Sequence, residues 1–219
     1  RGVASMTGSA FTRTGGLGAL LGGTTWVASF GAAQAISPDL KSIIVGPVLL
    51  MLLGIAALQA RHATGSGKLG KAGFGLTLIG LVLLAYGSVG RAVLTGELAG
   101  MAYGPLVFAG LAPGALVLGA GAIFTAVSVI GANVLPRLSP IPLLIGAVGV
   151  AAAGGVALAH QLLDGSSTEI FPLQPFPLAV LWAVFGIGWL WLGYLLWTER
   201  TPGAERVHAA LIASERAQF

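Results

Sequence analysis

Apolar residues dominate six stretches of the chain, and short polar or cationic segments separate them. A helix needs about 20 apolar residues to cross a hydrocarbon layer of roughly 30 Å, because each residue advances it by about 1.5 Å. The stretches that reach about this length lie at 15–35, 42–60, 72–90, 106–133, 141–162 and 177–197. The pattern therefore predicts an all-α integral membrane bundle of about six transmembrane helices.

The first and fourth stretches depart from a simple apolar run. The first is rich in glycine and ends at Ala33-Gln34-Ala35, which also resembles the end of a cleaved signal peptide. We interpret it as a membrane span. The fourth carries Pro105 and Pro113, and prolines there predict a kinked start or a short re-entrant segment before the helix proper.

The distribution of cations predicts the orientation, because Lys and Arg accumulate on the cytoplasmic side of membrane spans. With the N-terminus inside, the outer loops hold Lys41 and Arg91, and the inner segments hold the rest of the 11 cations. Those inner cations are Arg1, Arg13, Arg61, Lys68, Lys71, Arg137, Arg200, Arg206 and Arg216. We therefore expect both termini to face the cytoplasm.

The same reading divides the chain into a polar N-terminal arm (1–14), a six-span domain (15–200) and a C-terminal tail (201–219). Thr201 and Pro202 are typical of a helix start. The tail is expected to form a short amphipathic helix at the membrane surface, with a frayed, solvated tail as the alternative.

A loose repeat also favours three successive helical hairpins. Each outer-to-inner span begins near a proline, at Pro47, Pro105 and Pro177. Sequence preferences at membrane interfaces can also place prolines at these positions, so an internal duplication and a coincidence both remain open.

Composition supports lipid as the main solvent. Hydrophobic residues make up 56% of the chain and charged residues only 8%, against about 25% charged residues in a soluble domain. The net charge of +4 does not indicate nucleic acid, because the cations flank apolar runs rather than forming a basic face. We expect the lipid bilayer and other integral membrane subunits as partners, and no nucleic acid.

Glycine is the second unusual feature, at 35 of 219 residues, more than twice its usual share of about 7%. Inside apolar spans, small residues let helix backbones approach closely. The candidate helix-packing residues are Gly18 with Gly22, Gly110 with Gly114, and Ala151 with Gly155. A glycine face left over after internal packing would be a docking surface for another membrane subunit.

Aromatic residues crowd the last span, where Trp189, Trp191, Tyr194 and Trp197 lie toward its inner end. Trp and Tyr are enriched at membrane interfaces, so we interpret these four as interfacial anchors. A wall for an aromatic cofactor is the alternative.

Residues that carry chemistry are scarce in the spans. No Asp, Glu, Lys or Arg lies deep in a predicted span, and there is no cysteine, so we predict neither a catalytic centre nor a metal site. His160 is the one candidate for a cofactor, as a single axial ligand to a haem or a chlorophyll-type pigment. The alternative is an interfacial histidine that forms hydrogen bonds near Gln161 and Asp164.

Hydroxyl and amide side chains inside the spans are expected to form hydrogen bonds between helices, which is their usual role in membrane bundles. These residues are Thr24, Thr25, Thr77, Tyr86, Thr125, Ser128 and Asn133.

These observations favour a non-catalytic integral subunit or scaffold of a larger membrane complex, such as an electron-transfer or pigment-protein assembly. A small channel or facilitator for a neutral or lipophilic solute is the alternative. An enzyme acting on lipids is a third possibility, because the charged residues Arg91, Glu97, Asp164 and Glu169 fall on one side of the membrane. Small glycine-rich six-span proteins are common in bacteria, so we expect the bacterial cytoplasmic membrane.

Overall fold

Six α-helices make up nearly all of the described structure. The computed structural model describes residues 2–35, 45–62, 67–93, 98–132, 140–164 and 176–198. The helices are α1 (Gly2–Ala35), α2 (Val45–His62), α3 (Lys68–Val93), α4 (Leu98–Ala132), α5 (Ile141–Asp164) and α6 (Phe176–Thr198). No strand occurs in these ranges, which confirms the predicted all-α class.

Four of the helices are long and apolar enough to cross a membrane, which supports an integral multi-pass protein. The spanning segments are Lys68–Val89, Gly110–Gly131, Ile141–Ala159 and Val180–Thr198. Helix α2 contributes a shorter apolar segment, Gly46–Ala60. That α1 and α2 also cross the bilayer stays a prediction.

Two helix boundaries differ from the sequence-based expectation. Helix α1 begins at Gly2, so most of the segment expected to be a polar arm is helical. Helix α4 runs without interruption through Pro105 and Pro113, and the expected re-entrant segment is therefore wrong. A proline removes one backbone hydrogen bond, whereas leaving the helix within lipid would expose several unsatisfied groups. The predicted C-terminal surface helix (201–219) lies outside the described residues.

The helices form a closed ring. Each one packs against its neighbours in the chain, and α1 packs against α6 to close the circle. We call the contact between two neighbouring helices a seam. The α3·α4 seam is the most extensive of the six, and the α2·α3 seam is the least extensive.

Neighbouring helices run antiparallel. On the α1·α2 seam, Gly15 lies beside Leu53 while Gly22 lies beside Pro47, so positions rise along one helix as they fall along the other. The same order holds on the α3·α4, α4·α5, α5·α6 and α1·α6 seams. An even number of helices lets this alternation continue around the whole ring.

Glycines bring the backbones of α3 and α4 into contact. Gly73, Gly80 and Gly87 recur every seven residues along α3. A methyl group built on Gly80 would lie 2.5 Å from Cα of Leu118, and one on Gly73 would lie 2.6 Å from the backbone nitrogen of Thr125. A seven-residue repeat of contact positions is the period of left-handed helix packing.

The α1·α6 seam repeats this arrangement on both helices, with Gly16 and Gly23 facing Gly186 and Gly193. A methyl group on Gly23 would lie 2.5 Å from the carbonyl oxygen of Gly186, and one on Gly193 would lie 2.6 Å from that of Gly16. Both members of each glycine pair are seven residues apart, so the helices stay close over at least two turns.

An aromatic cluster fills the core beside this seam. Trp26 of α1 stacks on Trp182 of α6 with ring centroids 5.4 Å apart, and its Nε1 donates a hydrogen bond of 3.1 Å to the Trp182 carbonyl oxygen. Phe185 meets Trp26 and Trp189 edge-on, at 5.7 Å and 6.3 Å. The cluster ties the first helix to the last.

Candidate functional site

A small crevice lies between residues of α2, α3 and α4, beside the α2·α3 seam, which is the least extensive of the ring. Helix α2 lines it with Ile55, Leu58 and Gln59, α3 with Gly70 and Phe74, and α4 with Thr125, Ser128 and Val129. Its volume of about 10 Å³ corresponds to about one water molecule. The crevice therefore has room for one small polar group.

One polar atom in the crevice is buried without a partner. The side chain of Thr125 is only 7% exposed, and no described atom forms a hydrogen bond with its Oγ1. Ser128 Oγ donates to the Thr125 carbonyl oxygen at 2.9 Å, so that hydroxyl is engaged elsewhere. Buried hydroxyl groups nearly always have a partner, so this one is unusual. It lies against α3, because a methyl group on Gly73 would be 2.9 Å from Thr125 Oγ1.

The start of α3 gives this end of the crevice a positive charge. The Gly67 carbonyl oxygen accepts hydrogen bonds from the backbone nitrogens of Gly70 and Lys71, at 3.1 Å and 3.3 Å. Lys68 and Lys71 are both exposed, and the first turn of α3 contains no acidic residue. A helix N-terminus itself carries a partial positive charge, so three positive contributions coincide there.

The crevice lies a short distance inside this end of the ring. Phe74 is six residues beyond Lys68, or about 9 Å along the helix. Thr125 is seven residues before Ala132, where α4 ends, which is about 10 Å. The crevice therefore lies roughly 10 Å inside this end of the helices.

Most of the predicted packing glycines lie on seams. A methyl group on Gly18 or Gly22 would lie 3.0 Å from backbone atoms of α2. A methyl group on Gly110 would lie 2.6 Å from Cα of Gly87, and one on Gly114 would also meet the backbone of α3, at 2.9 Å. These four residues therefore face neighbouring helices within the ring.

The third predicted pair is less uniform. Ala151 lies on the α4·α5 seam, where a methyl group on Gly119 would lie 2.5 Å from the Ala151 backbone nitrogen. A methyl group on Gly155 would find its nearest atom, Leu116 Cδ1, at 3.8 Å, which is an ordinary contact. The closest approach of α5 to α4 here is instead at Gly154, whose added methyl group would lie 2.8 Å from the Ala112 carbonyl oxygen.

The four predicted interfacial anchors divide between two sides of α6. Trp191, Tyr194 and Trp197 are exposed by 43–44%, whereas Trp189 is 1% exposed. The interfacial assignment of Trp189 is therefore contradicted by its burial beside Phe185. The rings of Trp191 and Tyr194 lie 5.9 Å apart.

The hydroxyl groups of the spans bond mostly to their own helix. Thr24, Thr25 and Thr77 donate to the carbonyl oxygens four residues earlier, at 2.9 Å, 2.7 Å and 2.8 Å. The expected role in bonding between helices is thus not seen for these three. Trp26 forms such a bond instead. Asn133 lies outside the described residues.

The histidine prediction concerns side chains beyond the described part of the structure. His160 lies on α5 and His62 ends α2, but neither side chain is described, and His208 lies outside the described ranges. The side chains of the loop charges Arg91, Glu97, Asp164 and Glu169 are likewise outside them. Among the described residues, no group of three or more His, Cys, Asp or Glu could hold a metal ion.

No protein-family model, no curated protein and no solved structure matches this chain. A function therefore has to be inferred from its own residues.

Proposed function

We propose that the protein is a non-catalytic integral subunit or scaffold of a larger membrane complex. The observation that best supports this is an exposed aromatic surface on α6, formed by Trp191, Tyr194 and Trp197. We call it the aromatic face. Tyr and Trp are enriched in protein interfaces because each supplies a large contact area with few rotatable bonds.

The helix that carries the aromatic face is firmly held. On the α5·α6 seam, a methyl group on Gly188 would lie 2.5 Å from Cα of Leu143, and on the α1·α6 seam Gly186 is in similarly close contact. Trp182 and Trp189 fix its inner side in the core. A surface presented by a rigid helix loses little conformational entropy on binding, which favours a docking role.

The finer features of the assembly are proposals that rest on the sequence. We place both termini on the cytoplasmic side of a bacterial cytoplasmic membrane, with the six helices arranged as three successive hairpins. For an electron-transfer or pigment-protein complex, His160 is the proposed axial ligand. An absorption spectrum of the purified complex and of its His160→Leu variant tests this ligand.

Isolation of the native assembly tests the proposed function. The tagged chain, produced at its native level and extracted in mild detergent, should travel with specific membrane polypeptides. Replacing Trp191, Tyr194 and Trp197 together by leucine should release them, because leucine keeps the surface apolar but removes the aromatic contacts. The matched control exchanges two exposed residues of α3, Ile79→Leu and Val82→Leu, and should retain the partners.

One result would overturn the proposal, and a second would remove the aromatic face from it. Recovery of the wild-type chain as a lone monomer would do the first, and unchanged partners in the leucine variant would do the second. In the second case, the aromatic face would be an interfacial belt that contacts lipid.

The crevice bears on the alternative of a channel or facilitator. Its volume of about 10 Å³ fits one water molecule and is too small for an organic solute. The crevice therefore does not serve as a path for such a solute. Uptake of glycerol by proteoliposomes above that of empty vesicles would favour the channel.

A further inference from the structure

We propose that the ring opens sideways toward lipid at the α2·α3 seam. In this motion α6, α1 and α2, which we call the first group, rotate as one body against α3, α4 and α5, which we call the second group. The α5·α6 seam on the opposite side of the ring serves as the pivot. The proposal concerns the movement of the helices, and it does not depend on the proposed subunit role.

The extents of the seams divide the ring into these two groups. The two least extensive seams are α2·α3 and α5·α6, and they lie opposite each other in the ring. Each group is held internally by two more extensive seams. Among the described residues, the helix backbones of one group approach those of the other only along the α2·α3 and α5·α6 seams. Rigid groups joined by less extensive contacts are the arrangement on which hinge and shear motions depend.

Close contacts hold each group together. In the first group, Trp26 of α1 stacks on Trp182 of α6 with ring centroids 5.4 Å apart. A methyl group on Gly54 of α2 would lie 3.0 Å from Cα of Ala19 of α1. In the second group, a methyl group on Gly154 of α5 would lie 2.8 Å from a backbone carbonyl oxygen of α4. Interiors packed this closely transmit strain rather than absorb it, so each group is expected to move as a unit.

Helix α2 packs mainly on α1 and only weakly on α3. Both seams run along the same 18-residue helix, yet the α1·α2 seam is much more extensive than the α2·α3 seam. The crevice lies beside the weaker seam and is lined by Ile55 and Leu58 of α2 and by Phe74 of α3. Side chains that border a void lose part of their dispersion contacts. Separating α2 from α3 should therefore cost less than separating any other neighbouring pair.

The α5·α6 seam is short but close, which suits a pivot. A methyl group on Gly188 of α6 would lie 2.5 Å from Cα of Leu143 of α5. A methyl group on Gly146 of α5 would meet the backbone of Phe185 of α6. Small residues let helix backbones touch directly. Because a glycine has no side chain that interlocks with the neighbouring helix, α5 and α6 can rotate against each other while these contacts are kept.

The chain length between α2 and α3 permits the movement. Residues 63–67 join the two helices, and five residues span about 17 Å when extended. The axes of packed helices lie roughly 8–10 Å apart, so an increase of roughly 5 Å stays within the reach of the connection. In the open state, the crevice residues Thr125 and Ser128 of α4 would become accessible from the lipid.

The opening can be measured by pulsed electron paramagnetic resonance on the full chain in phosphatidylcholine nanodiscs. The chain has no cysteine, so two introduced cysteines carry all of the nitroxide label. Leu49 of α2 and Ile79 of α3 are exposed by 53% and 52%, and cysteines there place one label on each side of the α2·α3 seam. We expect two populations whose distances differ by roughly 5 Å, about half of the usual spacing of helix axes.

Two control pairs each share a label site with this pair. Leu21 with Leu49 lies within the first group, and Ile79 with Val127 lies within the second. All four residues are exposed, so the labels leave the packing intact. Each control pair should give a single narrow distance, because its two sites move together. The shared sites make the mobility of the labels themselves equal in the test and the controls.

A third pair reports on the pivot. Ile145 of α5 and Ile187 of α6 are exposed by 49% and 47% and lie on the two sides of the α5·α6 seam. Residues near a pivot move less than residues far from it, so the distance between these labels should change by less than half as much as that between Leu49 and Ile79.

A substitution at the α2·α3 seam should shift the balance between the two states. Phe74 lines the crevice and packs against the core, so Phe74→Ala should raise the open population by about threefold or more. The matched control is Phe11→Ala, because Phe11 is an exposed residue of α1, and it should leave the populations unchanged. Far-ultraviolet circular dichroism shows whether each variant remains folded.

Three results would overturn the proposal. The first is a single distance between Leu49 and Ile79, as narrow as in both control pairs, in the wild-type background and with Phe74→Ala. The second is equal broadening of all the pairs, because the movement would then not be confined to one seam. The third is a larger change between Ile145 and Ile187 than between Leu49 and Ile79, because the ring would then open at the α5·α6 seam.

Discussion

Replacing Gly80 by alanine places a methyl group against the backbone of α4. That methyl group would lie 2.5 Å from Cα and 2.8 Å from Cβ of Leu118, whereas ordinary contacts begin at 3.4 Å. Backbone atoms cannot rotate away as a side chain can. Helices α3 and α4 must therefore separate locally by up to roughly 1 Å, which on a dispersion potential forfeits a quarter to a half of each contact.

The expected loss of stability follows from two opposing effects. Overpacking of a well-packed core costs about 1–3 kcal/mol, and α3·α4 is the most extensive seam of the ring. Alanine recovers up to about 1 kcal/mol, because it has a higher helix propensity than glycine. With the full recovery, the two effects leave a net cost of about 0–2 kcal/mol, so we expect Gly80→Ala to lower the free energy of unfolding by up to about 2 kcal/mol.

Gly75 provides the matched control on the same helix. A methyl group there would have no atom within 4 Å, so Gly75→Ala should leave the free energy of unfolding unchanged or raise it by up to about 1 kcal/mol. Both variants can be compared by reversible unfolding in mixed micelles containing sodium dodecyl sulfate, followed by circular dichroism. Equal effects of the two substitutions would refute the close approach of α3 to α4.

Three further substitutions test the core by the same unfolding assay. Trp26→Phe removes the 3.1 Å hydrogen bond to the Trp182 carbonyl oxygen and should lower the free energy of unfolding by about 1–2 kcal/mol. An equal or larger loss of stability in Trp191→Phe, at an exposed site, would contradict this prediction. Ser88→Ala removes a buried hydroxyl group for which no described atom is a partner, so it should raise stability by up to about 1 kcal/mol, and a loss would show that Ser88 has one. Trp189→Ala should cost about 3–5 kcal/mol, and a cost as small as that of Trp191→Ala would argue against its burial.

The positions of the helices could be predicted from the sequence, but two of their ends could not. Each apolar stretch overlaps one helix, because lipid leaves the helix as the simplest way to satisfy the backbone. Hydropathy indicates whether a segment lies in lipid or in water, but it does not indicate where its helix begins and ends. Helix α4 has 35 residues and measures about 52 Å, so it is longer than the hydrocarbon layer. Its first turns extend beyond the apolar stretch, and hydropathy therefore does not mark where the helix begins.

The spacing of the aromatic residues along α6 separates those in the core from those on the surface. Trp182, Phe185 and Trp189 are separated by three and four residues, which is the spacing of one helix face directed at a core. Trp191 and Trp197 lie outside that stripe. Grouping the aromatic residues by face rather than by nearness to the helix end would have placed Trp189 in the core.

The packing glycines show a similar contrast. The prediction uses pairs four residues apart, whereas close contacts also recur every seven residues, as at Gly73, Gly80 and Gly87. That period was visible in the sequence. The crevice was not, because Gln59, Phe74 and Thr125 come from three helices, and their proximity depends on how those helices pack.

The closure of the ring has a consequence for biosynthesis. The hydrogen bond from Trp26 joins residues 156 positions apart, so α1 finds this partner only when α6 emerges. At 5–20 residues per second, the delay is roughly 10–30 s. During that interval, the glycine stripe of α1 can associate with other nascent chains, and the insertion machinery has to keep it apart until α6 arrives.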